Sequence, residues 1–233
     1  MKPPRPPPGE HGGAAIADTL FGQDSATGRP LPSKFGKLSQ TWYAAHYVGE
    51  AANMTDFRMR PGPAYCPTPD NCFGETPGRG HRFYTGTPDW RFGDGLSYTS
   101  WRIRSLRLSV SALEAVDVRR SFDTSDTPHT ASVLTRVNFE VDNAGDRDGD
   151  YVCLLFAQPP GAGEQGHPLQ VLVDFARVRV RQGGTQPLSF DVRATSLTLT
   201  NVDGVREVVT GEWIFFVREQ DRPQREEVVL LVK

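Results

Sequence analysis

From Ile103 to Lys233 apolar and polar residues alternate with a period of two. The apolar positions run Leu106, Leu108 and Val110, then Val137, Phe139 and Val141, then Leu188, Phe190 and Val192, then Trp213, Phe215 and Val217, and last Val228, Leu230 and Val232. Successive side chains of a strand point to opposite faces, so this alternation predicts strands buried on one side. Tyr151 to Phe156, Val171 to Phe175 and Leu197 to Leu199 extend the set, with turn clusters between the runs. Short strands separated in this way predict a mainly β fold, a β-sandwich over 102–233.

The first hundred residues lack this alternation. Ile16 and Leu20 stand one helical turn apart, with Ala between them and Gly22 where a left-handed C-cap would end a helix. A helix this short needs a surface to lie on. From 48 to 101 the chain reads as a long irregular strap. Its centre is Pro77-Gly78-Arg79-Gly80-His81-Arg82-Phe83-Tyr84-Thr85-Gly86, continued by Trp90-Arg91-Phe92-Gly93-Asp94-Gly95-Leu96-Ser97-Tyr98-Thr99. Glycines and prolines interleaved with aromatics exclude a helix there and leave room only for short extended pieces between turns. Long loops are pinned or functional, and Phe83, Tyr84, Trp90, Phe92 and Tyr98 are the expected anchors, with Gly93 and Gly95 at the bends.

Composition narrows the picture. The 233 residues hold 23 Gly and 19 Pro, which favours loops and strands over long helices. A net charge of -2 with both signs interspersed argues against nucleic acid or an anionic membrane as partner, and no apolar run has the length of a membrane-spanning helix. The Pro-rich lead-in over 1–7 has no apolar core and is not a secretory signal. Cys66 and Cys72 enclose a Pro-, Asp- and Asn-containing loop able to close as a small disulfide, while Cys153 falls in a strand pattern and is expected to be a buried thiol. The spacing lacks a second pair of ligands, which excludes a zinc site. Asn53-Met54-Thr55 is an N-glycosylation acceptor triplet, which together with a disulfide would point to an oxidising compartment.

The strap carries a resemblance. Pro77-Gly78-Arg79 with Arg82-Phe83-Tyr84 and Gly86, then Phe92-Gly93-Asp94-Gly95-Leu96-Ser97-Tyr98-Thr99, resembles the linker between the second and third domains of family 3 glycoside hydrolases. With Met54-Thr55-Asp56-Phe57-Arg58-Met59-Arg60 before it, it is similar to the β-xylosidase and α-arabinofuranosidase branch. Gly28-Arg29-Pro30-Leu31-Pro32 and Thr41-Trp42-Tyr43 resemble a turn and a strand that end the α/β-sandwich domain of the same family. The resemblance therefore implies that 8–47 is the C-terminal remnant of that domain. Val137-Asn138-Phe139-Glu140-Val141-Asp142-Asn143-Ala144-Gly145, and Leu172 to Val178 leading to Gly183-Gly184, resemble its closing fibronectin type III-like domain.

What the resemblance implies is a non-catalytic role. In the family the nucleophilic aspartate sits on an N-terminal barrel and the acid/base glutamate in the second domain, ahead of the helix around Ile16. Neither motif is present, so no catalytic residue, cofactor or metal is expected in this chain. The implied partners are the barrel and α/β-sandwich domains of a parent enzyme that acts on xylosyl or arabinosyl units, outside the cell or in the secretory pathway. The alternative is a stand-alone fibronectin type III-like module that binds carbohydrate or protein.

Other constellations have plainer explanations. Asp142, Asp146, Asp148 and Asp150 crowd one turn but lack the calcium-loop spacing, and they read as a hairpin turn. His11-Gly12-Gly13 resembles an esterase oxyanion loop, but the nucleophile elbow is missing, and the glycines read as helix entry. Arg79, His81 and Arg82 have the chemistry to grip a sugar hydroxyl or a carboxylate, and Trp90 the face to stack on a pyranose. The composition of the loop favours anchoring of the strap over substrate binding for the same residues.

Overall fold

The structure is a computed structural model describing residues 9–34, 36–51, 56–69, 71–123, 132–164, 166–201, 203–218 and 226–233. In chain order, α1 (Gly12–Phe21), α2 (Tyr47–Ala51), a hairpin of β1 (Tyr65–Thr68) and β2 (Asn71–Phe73), and the one-turn helix α3 (Gly80–Phe83) precede the sandwich. The sandwich contains β3 (Trp101–Leu108), β4 (Ala112–Leu113), α4 (Ala115–Asp123), β5 (Val133–Asn143), β6 (Gly149–Gln158), β7 (Val171–Val180) and β8 (Thr185–Arg193). A 3-10 turn (Ala194–Leu197), β9 (Thr198–Thr200), β10 (Arg206–Val208), β11 (Gly211–Val217) and β12 (Glu226–Val232) complete it.

The expected β-sandwich is present. A three-stranded antiparallel sheet in the order β3-β5-β8 faces a five-stranded sheet in the order β4-β12-β11-β6-β7. The apolar positions of the period-two pattern meet between them: Val137, Phe139, Val141, Phe190 and Val192 from one sheet, Trp213, Phe215, Val217, Leu230 and Val232 from the other. Cys153 is a free thiol in this core, and burial pushes its pKa up to about 12, so it stays protonated and inert.

Three local features depart from the alternation or add to it. In β3 the buried positions are Trp101 and Ile103, then the half-buried Leu106 and Leu108. A bulge between Arg104 and Arg107, with Ser105 at φ 58°, shifts the register by one so that both pairs face the core. The helix α4, which the period-two scan does not detect, buries Ala115 and Val118 and lays Phe122 against the core. Their spacing is that of one helix face. Leu197 to Leu199 is strand only from Thr198 onward, because the 3-10 turn takes the residues before it.

Ahead of the sandwich, α1 ends where expected, at Gly22 with φ 71°. Thr41-Trp42-Tyr43 forms no strand; Trp42 makes a single antiparallel bridge to Trp90. The strap was expected to exclude helix, yet Gly80–Phe83 makes one helical turn, with Tyr84 N donating to Gly80 O at 3.1 Å. Gly80 itself carries the positive φ, 69°, that lets the chain enter the turn.

Two outcomes check this packing. Phe215→Ala, in the centre of the sandwich, should lower unfolding free energy by about 3–5 kcal/mol in urea titration, whereas Phe175→Ala, 66% exposed on β7, should change it by about 0.5 kcal/mol or less. Cys66 and Cys72 are joined across the β1–β2 hairpin. Thiol titration under denaturing, non-reducing conditions should therefore count one free thiol, and a count of three would contradict the pairing.

Candidate functional site

The strap crosses the outer face of the five-stranded sheet, and this contact positions His81 and Phe92. On β6 and β11 the alternation breaks: Leu155, Phe156 and Ala157 are all buried, as are Phe215, Phe216 and Val217. Leu155, Ala157, Phe215 and Val217 point into the sandwich, while Phe156 and Phe216 stack on each other outside it, with ring centroids 5.5 Å apart. Phe92 of the strap meets Phe156 edge-on at 6.1 Å, and His81 stacks on Phe92 at 4.2 Å. Gly93 passes so close that a Cβ would lie 2.5 Å from Leu154 Cδ1, and its φ is 85°. A side chain there would have to displace Leu154 and would strain the backbone.

Hydrogen bonds hold the rest of the path. Leu169 N donates to Arg82 O at 2.7 Å, tying α3 to the segment before β7, and Gly80 N donates to the Tyr43 hydroxyl at 2.6 Å. Tyr43 and Tyr47 stack at 3.9 Å, with Tyr84 edge-on to both. Gly93 N and Asp94 O pair with Leu38, so residues 38 and 93–94 run side by side. Of the expected anchors, Phe83 and Tyr84 are buried and Phe92 and Tyr98 half-buried; Trp90 contributes its backbone, and its ring stays 53% exposed.

The buried Asn143 joins strap and sandwich. Its Oδ1 accepts from Thr99 Oγ1 at 2.6 Å and from Gly145 N at 3.2 Å, and its Nδ2 donates to Arg147 O and Val180 O. Three carboxylates of the acidic turn that follows are engaged structurally. Asp142 pairs with Arg104, Asp150 pairs with Arg177, and Asp148 accepts from Gln182 N. No group of three or more potential metal ligands lies together among the described residues.

The sequence-derived candidates do not converge on one point. His81 lies between two clefts. One, of about 190 Å³, is lined by Thr41, His81, Arg91, Phe92, Gln170 and Arg218, among others. The other, of about 370 Å³, has Arg82 and Arg206 beside His81. Arg79 lines neither; its backbone N donates to Met59 O at 2.8 Å. Trp90 is exposed beside Trp42. Asn53 lies outside the described residues. Arg206, Arg218 and Gln170 were not singled out in the sequence, and no local signal marks them, because their relation to His81 arises only when β7, β10 and β11 come together.

Electrostatics keeps the middle of the site uncharged at His81 and positive around it. Burial, then the neighbouring Arg82 and Arg218, lower the His81 pKa to about 4, so the ring is neutral at pH 7. Elsewhere in the strap, the Arg58 guanidinium bonds both carboxylate oxygens of the buried Asp56 and holds its pKa down. Arg58 also donates to Pro63 O and Gly74 O, so one ion pair orders both ends of the disulfide hairpin.

His81 provides a pH test. Its folded-state pKa lies below the ordinary 6.5, so the unfolded chain takes up this proton first; the stability it contributes is full above pH 6.5 and is lost as pH falls through about 4. The advantage in melting temperature of the natural chain over His81→Phe should shrink across that window. A constant difference would show that the imidazole protonates freely in the fold.

Comparison with known proteins places this arrangement. Residues 151–220 match the fibronectin type III-like domain family. The chain is 31% identical over 223 residues to beta-D-xylosidase 3 of Arabidopsis thaliana, covering 90% of itself and 26% of that protein. It is 32% identical to the exo-1,4-beta-xylosidase xlnD of Aspergillus oryzae, covering 88% of itself and 24% of the relative. Among solved structures, the GH3 exo-beta-xylosidase XlnD, captured with a xylobiose aziridine probe, matches 96% of this chain with 27% of its own, at TM-score 0.68 and 25% identity. DesR, a beta-glucosidase of Streptomyces venezuelae, shares the fold at TM-score 0.64 and 20% identity. The chain spans about a quarter of the length of the curated relatives it matches. Along about nine tenths of its length it corresponds to the C-terminal portion of a family 3 glycoside hydrolase of the β-xylosidase type, with its fibronectin type III-like domain.

Proposed function

We propose that the chain serves as the non-catalytic C-terminal part of a retaining glycoside hydrolase that removes xylosyl or arabinosyl units from plant-type polysaccharides, and that it contributes domain packing and stability. The observation that carries this reading is α1. Its apolar side chains are not covered by the sandwich: Ile16 is 38% exposed, Leu20 56% and Phe21 85%. Yet the end of the helix is held firmly. The Tyr98 hydroxyl donates to Thr19 O, Arg147 donates to Gly22 O at 3.3 Å, and a Cβ at Gly22 would touch the Tyr98 ring. A helix fixed in place with apolar side chains outward reads as a docking element, and the family resemblance makes an α/β-sandwich domain the body we propose it meets.

The carboxylates support a non-catalytic role. A retaining glycosidase needs one carboxyl poised as an acid and a second as nucleophile. Asp24 and Asp56 are both driven toward the ionised form by hydrogen bonds, the reverse of an acid catalyst. The disulfide fits an extracellular or secretory setting for the parent enzyme.

The test is hydrolysis of aryl β-xyloside and aryl α-arabinofuranoside by the purified chain, alone and mixed with the barrel and α/β-sandwich domains of the Aspergillus oryzae relative. No turnover alone, with activity of those domains restored on mixing, is the expected result. Turnover by the chain alone would overturn the reading.

A further inference from the structure

The 370 Å³ cleft between α3 and the β9–β10 hairpin has a one-sided chemistry. Its walls carry His81, Arg82, Thr195, Ser196, Thr198 and Arg206, over an apolar floor from the start of β7. It has cations and hydroxyl groups but no carboxylate, in a chain whose Asp and Glu, 28, outnumber its Lys and Arg, 26. Arg60 joins from the rim: its guanidinium lies 5.2 Å from the Phe83 ring centroid, and that of Arg82 lies 5.3 Å from the same ring. Among the described residues neither Arg60, Arg82 nor Arg206 forms an ion pair.

Surface arginines commonly stand alone in water, but these converge and are partly fixed. Arg206 Nη2 donates to Thr195 O at 2.9 Å and to Thr198 Oγ1 at 2.7 Å, which fixes the guanidinium at the cleft wall. Arg60 is held through Gly166 O at 2.8 Å. The backbone of Arg82 is locked by Leu169. Burial, then Arg60 and Arg206, make the cation on Arg82 less favourable than in water, a cost that a bound anion offsets. Guanidinium groups with preset donors suit an oxyanion, which accepts two parallel hydrogen bonds from one fork.

We propose that this cleft is an oxyanion site, in which Arg82 from the α3 side and Arg206 from the β9–β10 side hold a carboxylate, sulfate or phosphate group while Arg60 adds charge from the rim. The hydroxyl groups of Thr195 and Ser196 suit a ligand that carries hydroxyls beside its acid, so a sugar acid and a bare inorganic anion are the two sources to separate. The site does not depend on the glycosidase reading, since it lies wholly within this chain.

The experiment is isothermal titration of the full chain with sodium sulfate, sodium phosphate and sodium glucuronate, each against sodium chloride at matched ionic strength. Saturable binding of at least one oxyanion is expected, weakened about tenfold or more by Arg82→Gln and unchanged by Arg102→Gln, an exposed position on β3. Arg206→Gln, with its fold verified by circular dichroism, should weaken binding similarly. Binding of glucuronate alone would assign a sugar acid, and binding of all three would assign the anionic head group. No oxyanion binding above chloride, or binding indifferent to Arg82→Gln, would overturn the proposal.

Discussion

The structure depends on two phenylalanines that point the wrong way. Phe156 and Phe216 sit on the outer face of a sheet whose inner face already fills the core, and left bare they would place an apolar patch in water. Burying each contributes about 1.5–3 kcal/mol, which helps to hold the strap on the sheet. Phe92 and His81 form the cover, and Gly93 allows the backbone to come down to it. The two clefts around His81 exist because the strap is laid on the sheet at this point.

A second junction supports the first. Asn143 satisfies both ends of its buried amide with groups from the strap, from its own turn and from the end of β7. A buried amide of this kind is costly unless every partner is present, so it specifies one arrangement where apolar contacts alone would tolerate several. Arg177 adds a more exposed tie, bonding Asp150 and the Ser33 hydroxyl, while Asp150 N donates to Pro32 O. The segment after α1 is thereby sewn to the sandwich by groups that also order the acidic turn.

Much of the fold was legible in the chain. The inward positions of β5, β8, β11 and β12 follow from alternation, the end of α1 from Gly22, and the disulfide from a short Cys spacing around a turn. What stayed hidden has physical causes. Alternation assumes one buried face, so Leu155-Phe156-Ala157 shows only that both faces are covered and not by what. The bulge at Ser105 leaves no trace in a period-two pattern. In the strap, glycines pointed to turns, and one of those turns closes as helix because Gly80 takes a left-handed φ at its entry. The site was half legible: Arg79, His81, Arg82 and Trp90 stood out by residue type, but the structure groups His81 and Arg82 with Arg60 and Arg206, which are remote in sequence. Convergence of that kind belongs to tertiary structure.

The attachment of α1 bears on how forces pass through the molecule. The helix meets the sandwich through Tyr98 and Arg147, and the segment after it is held at Pro32 and Ser33. These ties lie within a short length of chain and end on Thr99, Asn143 and the start of β6. Any body seated on the outward face of α1 would be levered against the sandwich as a stiff arm. The angle between them would be set by the lengths of a few hydrogen bonds, and a displacement at Leu20 would arrive at β6 as shear.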